Sequence, residues 1–170
     1  LAFSGGNEKA QTYFAYTRVD ATGIIDNNEL VRNNLNLRIT GKVSPKLSYD
    51  SKVTYLKQDI NNRQYTGEAY QNNQRHILRI PRNISLEQAM KYDYVDPSTG
   101  KLRQNYWNPG SNGGENPFWT KNRVISDDVR DRVMGFGSLT YQVTPALSLM
   151  GRAGIDKTID AFEGKWYNDT

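Results

Sequence analysis

The sequence predicts an all-β chain: about six antiparallel strands of a transmembrane β-barrel, with one long extracellular loop among them. Three observations carry this expectation. A tight turn is written twice, as Val43-Ser44-Pro45-Lys46-Leu47-Ser48 and as Val143-Thr144-Pro145-Ala146-Leu147-Ser148. Long runs of alternating apolar and polar residues enter and leave both copies. Each run has about twelve residues, which at roughly 3.3 Å per residue reaches about 40 Å. Soluble strands average only about 5–6 residues, whereas a tilted strand crosses the hydrocarbon layer in about 9–11.

Taken in order, Leu1 to Ser4 reads as the tail of a strand whose start lies upstream, so the chain is expected to be a piece of a longer one. Gly5-Gly6-Asn7-Glu8-Lys9 is a turn, because Gly and Asn adopt positive φ at little cost. Gln11 to Asp20 is the next strand, with Tyr13, Ala15, Thr17 and Val19 opposite Phe14, Tyr16, Arg18 and Asp20. Its two faces are too alike to orient it. Residues 21–28 form a loop.

The four long runs are sharper. From Arg32 to Val43 the odd positions Leu35, Leu37, Ile39, Gly41 and Val43 oppose Asn34, Asn36, Arg38, Thr40 and Lys42. From Leu47 to Asp59, Leu47, Tyr49, Ser51, Val53 and Tyr55 oppose Ser48, Asp50, Lys52, Thr54 and Gln58, with Leu56 as an exception. From Asp131 to Val143, Val133, Gly135, Gly137, Leu139, Tyr141 and Val143 oppose Arg132, Ser138, Thr140 and Gln142, with Met134 and Phe136 as exceptions. From Leu147 to Ile159, Leu147, Leu149, Gly151, Ala153, Ile155 and Ile159 oppose Ser148, Arg152, Asp156 and Thr158. A period of two means strands with one apolar and one polar face. The expected lipid-facing wall is Leu35, Leu37, Ile39, Val43, Leu47, Val53, Tyr55, Leu139, Tyr141, Leu149 and Ile155. The charged row suits a watery or plugged lumen, since a Lys or Arg on the lipid face at mid-depth costs about 2–4 kcal/mol.

The alternation stops between Ile60 and Arg130, and residues 60–130 are expected to form the long loop inside a single partial barrel domain spanning 1–170. Within it Ser85 to Tyr92 reads as a short helix: Ser85 caps, Glu87 and Gln88 occupy the first turn, and Leu86, Ala89 and Met90 share a face. Asp96-Pro97-Ser98-Thr99-Gly100 is a turn. Residues 106–119 form a Gly/Asn/Pro loop bracketed by Tyr106, Trp107, Phe118 and Trp119. A compact soluble domain has little use for an irregular insert of this length unless it is functional. Short turns on one side and long loops on the other are what outer-membrane barrels have.

Composition narrows the rest. Cysteine is absent, so there is neither disulfide nor thiolate metal site. The net charge of +4 forms no basic stripe, so no nucleic acid is expected as a partner. No apolar run suffices for a membrane-spanning helix. Eleven tyrosines fit an interfacial aromatic girdle and equally a sugar-binding surface. The bracket of Tyr106, Trp107, Phe118 and Trp119, with Asn116 beside it, would either contact a ligand or partner or form the loop's own small core. His76 is the single histidine and reads as a loop residue, not a transition-metal ligand. Asp127, Asp128 and Asp131 lack the spacing of a calcium loop and read as a solvated strand mouth. No nucleophile elbow, P-loop or zinc-protease motif occurs, so neither an enzyme nor a cofactor is expected.

Several stretches resemble the barrel strands of SusC/RagA-type TonB-dependent outer-membrane transporters of Bacteroidetes. They are Ser4-Gly5-Gly6-Asn7-Glu8-Lys9, Tyr13-Phe14-Ala15-Tyr16, Gly23-Ile24-Ile25 and Arg32-Asn33-Asn34-Leu35-Asn36-Leu37-Arg38. Pro81-Arg82-Asn83-Ile84, Asn116-Pro117-Phe118-Trp119 and Arg130-Asp131-Arg132-Val133-Met134-Gly135 follow in the same order. The resemblance implies a barrel of about 22 strands plugged by an N-terminal domain that this chain does not contain. It implies uptake of glycans or peptides across the cell outer membrane, driven by the TonB complex acting on the missing N-terminal part. A SusD-like surface lipoprotein is the implied lid, and outer-membrane lipid and lipopolysaccharide the surroundings. A passive porin-like channel, a surface adhesin on a barrel, and a soluble β-sandwich carbohydrate-binding module remain as alternative readings.

Overall fold

A computed structural model of the chain describes residues 1–106 and 114–170. Eight strands and three short helices are present among these residues. β1 (Ala2–Gly6), β2 (Ala10–Thr22), β3 (Glu29–Ser44) and β4 (Leu47–Asn61) come first. α1 (Asn73–Ile77), α2 (Leu86–Met90), β5 (Asp93–Val95), β6 (Leu102–Gln104) and α3 (Pro117–Arg123) fill the insert. β7 (Val124–Thr144) and β8 (Leu147–Trp166) complete the chain. The fold is all-β and antiparallel, with a six-stranded sheet in the order β1-β2-β3-β4-β7-β8 and a two-stranded sheet β5-β6. Among the described residues no helix is long and apolar enough to cross a membrane.

Contacts divide the chain into two units. The first comprises Leu1–Ala21, Leu30–Asp59 and Val129–Ala161, the body of the six-stranded sheet. The second comprises Thr22–Glu29, Ile60–Asp128 and Phe162–Thr170.

Within the sheet, side-chain contacts fix which residues share a face. Arg38 is bidentate to Asp50, Arg32 Nε donates to Gln58 at 3.1 Å, and Thr54 donates to Asn36 at 2.8 Å, so the even positions of β3 and β4 lie together. Arg132 to Asp156 and Arg130 to Asp160 do the same for β7 and β8. On the opposite face Gly135 is flanked by Val53 and Ile155, which brings the odd positions of β4, β7 and β8 side by side. β2 enters with its parity inverted: the Tyr16 hydroxyl donates to Asn33 Oδ1 at 2.7 Å, so its even residues join the odd face of β3. Sequence alone had no means to orient that strand, because Tyr13 and Tyr16 are equally at home on either side.

The apolar odd face is open. Leu37, Val53, Leu139 and Ile155 are 39%, 50%, 56% and 62% exposed, so none of the described residues covers the row that the sequence assigns to lipid. Leu35, Val43, Tyr141 and Leu149 are likewise exposed, whereas Ile39, Leu47 and Tyr55 are half-buried by neighbours on the same sheet. One exception to the alternation, and one polar tip in the apolar row, find a partner. Phe136 stands on the polar face and carries the Arg152 guanidinium 3.9 Å above its ring, a cation–π contact. Tyr55, on the odd face, donates its hydroxyl to Asp131 at 2.5 Å.

The insert differs from the irregular loop expected over 60–130. The flanking strands run further into it than the alternation does, β4 to Asn61 and β7 back to Val124. The remainder has its own elements. The expected helix is present as α2, with a reciprocal capping box between Ser85 and Gln88. Its expected apolar face is only partly used: Ala89 is buried at 2% exposure, while Leu86 and Met90 are exposed. The Asp96–Gly100 turn joins β5 to β6, closed by Gly100 N–H on the Asp96 carbonyl at 2.8 Å.

Candidate functional site

The insert's centre is built largely from hydrogen-bonded polar side chains. Asn116 caps α3: its Oδ1 accepts from Phe118 N–H at 2.9 Å, and Pro117 follows at the first helical position, where its missing N–H costs nothing. The same side chain donates to the Ala89 carbonyl at 2.8 Å and to the Asn105 carbonyl at 3.3 Å. Its backbone N–H donates to Gln104 Oε1 at 2.7 Å, and Gln104 Nε2 reaches the Asp169 carbonyl at 2.8 Å. One amide thus joins α2, β6 and α3. Asn116 and Gln104 are tolerated inside because the side-chain oxygen and nitrogen of each find partners.

Trp119 is fully buried, with Nε1 donating to Thr170 Oγ1 at 3.0 Å and its ring edge-on to Tyr167. Arg123 donates to Asp93 at 2.8 Å and lies 4.8 Å from the Tyr167 ring centre, and these contacts hold its charge.

Of the residues expected to touch a ligand, Trp119 and Asn116 are therefore occupied in this core. Aromatic bracketing marks a packing centre as readily as a binding surface, and Trp119 has no exposed edge to offer. Phe118 is half-buried on α3, and Tyr106 is half-buried with its hydroxyl donating to the Asp169 carbonyl at 2.5 Å. Trp107 lies outside the described residues. Tyr106 does line an open cleft of about 210 Å³ together with Ile84, Gln88, Lys91, Asn105 and Asn116. Its walls are amide, phenol, ammonium and alkyl groups.

A second constellation was not legible in the sequence. His76 is fully buried in α1, with Nε2 2.5 Å from the Tyr70 carbonyl and 4.0 Å from the Glu115 carboxylate. Arg75 stands over the Tyr70 ring at 4.9 Å and bonds Glu68 at 3.1 Å. Asn73 donates to Thr120 Oγ1 at 3.1 Å and to the Pro117 carbonyl, tying α1 to α3. Burial pushes the Glu115 carboxyl up to about 7, against the pull of the Arg75 guanidinium. The lone His reads as a loop residue in sequence because its neighbours in space are far away in the chain. The usable signal was the Asn72-Asn73 pair ahead of it, a capping residue followed by a turn of helix.

The three aspartates near the start of β7 each have a separate partner. Asp127 accepts from Asn62 N–H at 2.9 Å and Asp128 from Arg63 at 2.5 Å, while Asp131 holds the Tyr55 hydroxyl. Among the described residues no group of three metal-ligating side chains is assembled. At the β5-β6 turn, hydrogen bonds from Ser98 and Thr99 lower the Asp96 carboxyl to about 2, which is turn chemistry.

The other extended polar surface is the even face of the large sheet, where arginines and aspartates form cross-strand pairs. No family model matches the chain, and no curated protein matches it.

Proposed function

We propose that the chain is part of the wall of an outer-membrane active transporter of the SusC/RagA type. In this reading it imports glycans or peptides, is energised through TonB and works beside a SusD-like lipoprotein. The observation that carries it is the sheet: strands of 13 to 21 residues with one apolar, uncovered face and one charged face. A sheet of this kind, standing in water, would expose far more apolar surface than a soluble protein tolerates. In a bilayer the same face is solvated by acyl chains, and the charged face turns to the lumen.

The tight turns after β1, β3 and β7 would lie on the periplasmic side. The connection after β2 and the insert after β4 would lie outside, where a ligand is captured. The role of this segment is then to hold and line, while the energy-coupling parts in this reading belong to the N-terminal plug. A soluble sandwich needs a second sheet over the odd face; among the described residues the only other sheet is the β5-β6 pair, three residues per strand.

The test is fractionation of the full-length parent chain. The reading expects it in the outer-membrane fraction, with a gel mobility that shifts on heating, as intact barrels do. A parent chain recovered in the soluble fraction overturns it.

A further inference from the structure

The two faces of the large sheet differ in charge as well as in polarity. Within the first unit, the odd face and the β2 residues that join it carry charge only toward the strand ends that lead to the longer connections, and that charge is balanced: Arg18, Lys57 and Lys157 against Asp20, Asp59 and Asp131. The even face is not. Its three acids are each taken by one arginine: Asp50 by Arg38 at 2.8 Å, Asp156 by Arg132 at 2.5 Å and Asp160 by Arg130 at 2.6 Å. Four further cations remain on that face. Arg32 donates only to the neutral amide of Gln58, and Arg152 lies over the neutral ring of Phe136. Lys42 and Lys52 are exposed and have no anionic partner among the described residues. The odd positions of β2, which complete this face, carry no charge.

We propose that this face receives an anionic ligand, one bearing carboxylate, sulfate or phosphate groups, as it passes along the wall. The inference rests on the reading that the even face lines the lumen, and it narrows the substrate class of that reading. Like charges along a wall of low dielectric focus their field into the space they face, and raise the local concentration of the opposite sign. The paired arginines are held in place by their aspartates. The two lysines, on flexible stems, are the groups free to follow a moving anion as point charges. Phe136 carries Arg152 on its ring, and the nearby acid that Arg152 feels, Asp50, is already bidentate to Arg38, so one carboxylate serves two guanidiniums.

The experiment uses the full-length protein in outer-membrane vesicles and two fluorescent probes of equal length, a sulfated dextran oligosaccharide and unmodified dextran. The sulfated probe is expected to bind more tightly, and to weaken as salt rises from about 50 to 200 mM, since exposed charges are screened over that range. Lys52→Gln with Arg152→Gln should weaken it by about tenfold, roughly threefold for each cation removed. Lys57→Gln with Lys157→Gln, on the odd face, should leave it unchanged. Equal binding of both probes, no binding of either, or equal loss in both variant pairs overturns the proposal. Heat-dependent mobility is measured on the same vesicles. A heat-shifting barrel without charge preference ends this inference alone, whereas a chain that forms no barrel ends the transporter reading as well.

Discussion

The ring of Tyr49 on β4 lies against Gly41 on β3, so closely that a Cβ at position 41 would stand 2.7 Å from the tyrosine hydroxyl oxygen and 2.8 Å from the Lys9 carbonyl oxygen. The second contact is the decisive one. A tyrosine can swing aside, but Lys9 O accepts the Lys42 N–H at 2.8 Å and is fixed by the turn before β2. Gly41→Ala must therefore shift a strand end, at a cost of about 1–3 kcal/mol, the usual range for overpacking. Gly151 has nothing within 4 Å of its would-be Cβ. Gly151→Ala is expected to be neutral or to stabilise by about 0.5–1 kcal/mol, because glycine is entropically unfavourable inside a strand. The temperature at which the full-length barrel loses its folded gel mobility checks both. A Gly41→Ala barrel as robust as the wild type would contradict the packing described for this corner.

Trp119 offers a separate test of the insert. It has no solvent-exposed surface, so Trp119→Ala removes a large buried ring and leaves a cavity, for which about 3–5 kcal/mol is expected. Phe118, half-buried on the same helix, should cost markedly less on truncation. Protease sensitivity within residues 114–123 of the full-length protein is the measurement. Equal sensitivity of the two variants would argue that the insert is not organised around Trp119.

The large sheet could be read from sequence and the insert could not, for a physical reason. Strands with one face in oil and one in water must alternate, and alternation is visible without any tertiary knowledge. It fades where apolar residues no longer keep to one parity: Val124 and Ile125 open β7 on opposite faces, and beyond Ile159 the apolar residues of β8 move to Phe162 and Trp166. The insert buries His76, Gln104, Asn116, Asn73 and Thr120 beside few apolar residues. A core built mostly from polar side chains leaves no hydrophobic period to find. Asn116-Pro117, a capping residue with proline at the first helical position, is the one local sign of α3, and the aromatics around it fit a binding surface as readily as a packing centre.

Glu115 gives a pH dependence with a definite sign. Its carboxyl rises from 4.5 to about 7 through burial, so between those values the native insert holds a proton that the unfolded chain has released. Stability of the insert must then fall as pH rises through that window, by at most about 3 kcal/mol at pH 8. Amide exchange in α1, corrected for the intrinsic rate, should show stronger protection at pH 5 than at pH 8. Glu115→Gln should remove most of that difference and be the more stable form at pH 8. Protection that increases with pH in the wild type would mean the carboxylate is favoured inside, contrary to its burial.

The assignment of the odd face to lipid can be tested at two neighbouring positions of β7. Leu139 is 56% exposed on the odd face, and Thr140 points to the even one. A fluorophore on Leu139→Cys in the full-length protein should be quenched by nitroxide-labelled lipids and ignored by iodide in the water. On Thr140→Cys the two quenchers should exchange roles, because successive strand residues face opposite sides. Leu139→Arg adds an energetic reading, with about 2–4 kcal/mol expected if the residue lies near mid-bilayer and close to zero near an interface. A sheet buried in a soluble sandwich would also resist the arginine, so cost alone does not discriminate. Quenching does, since a sandwich core is reached by neither reagent, and iodide quenching at Leu139 would place the apolar row in water and remove the ground for a membrane wall.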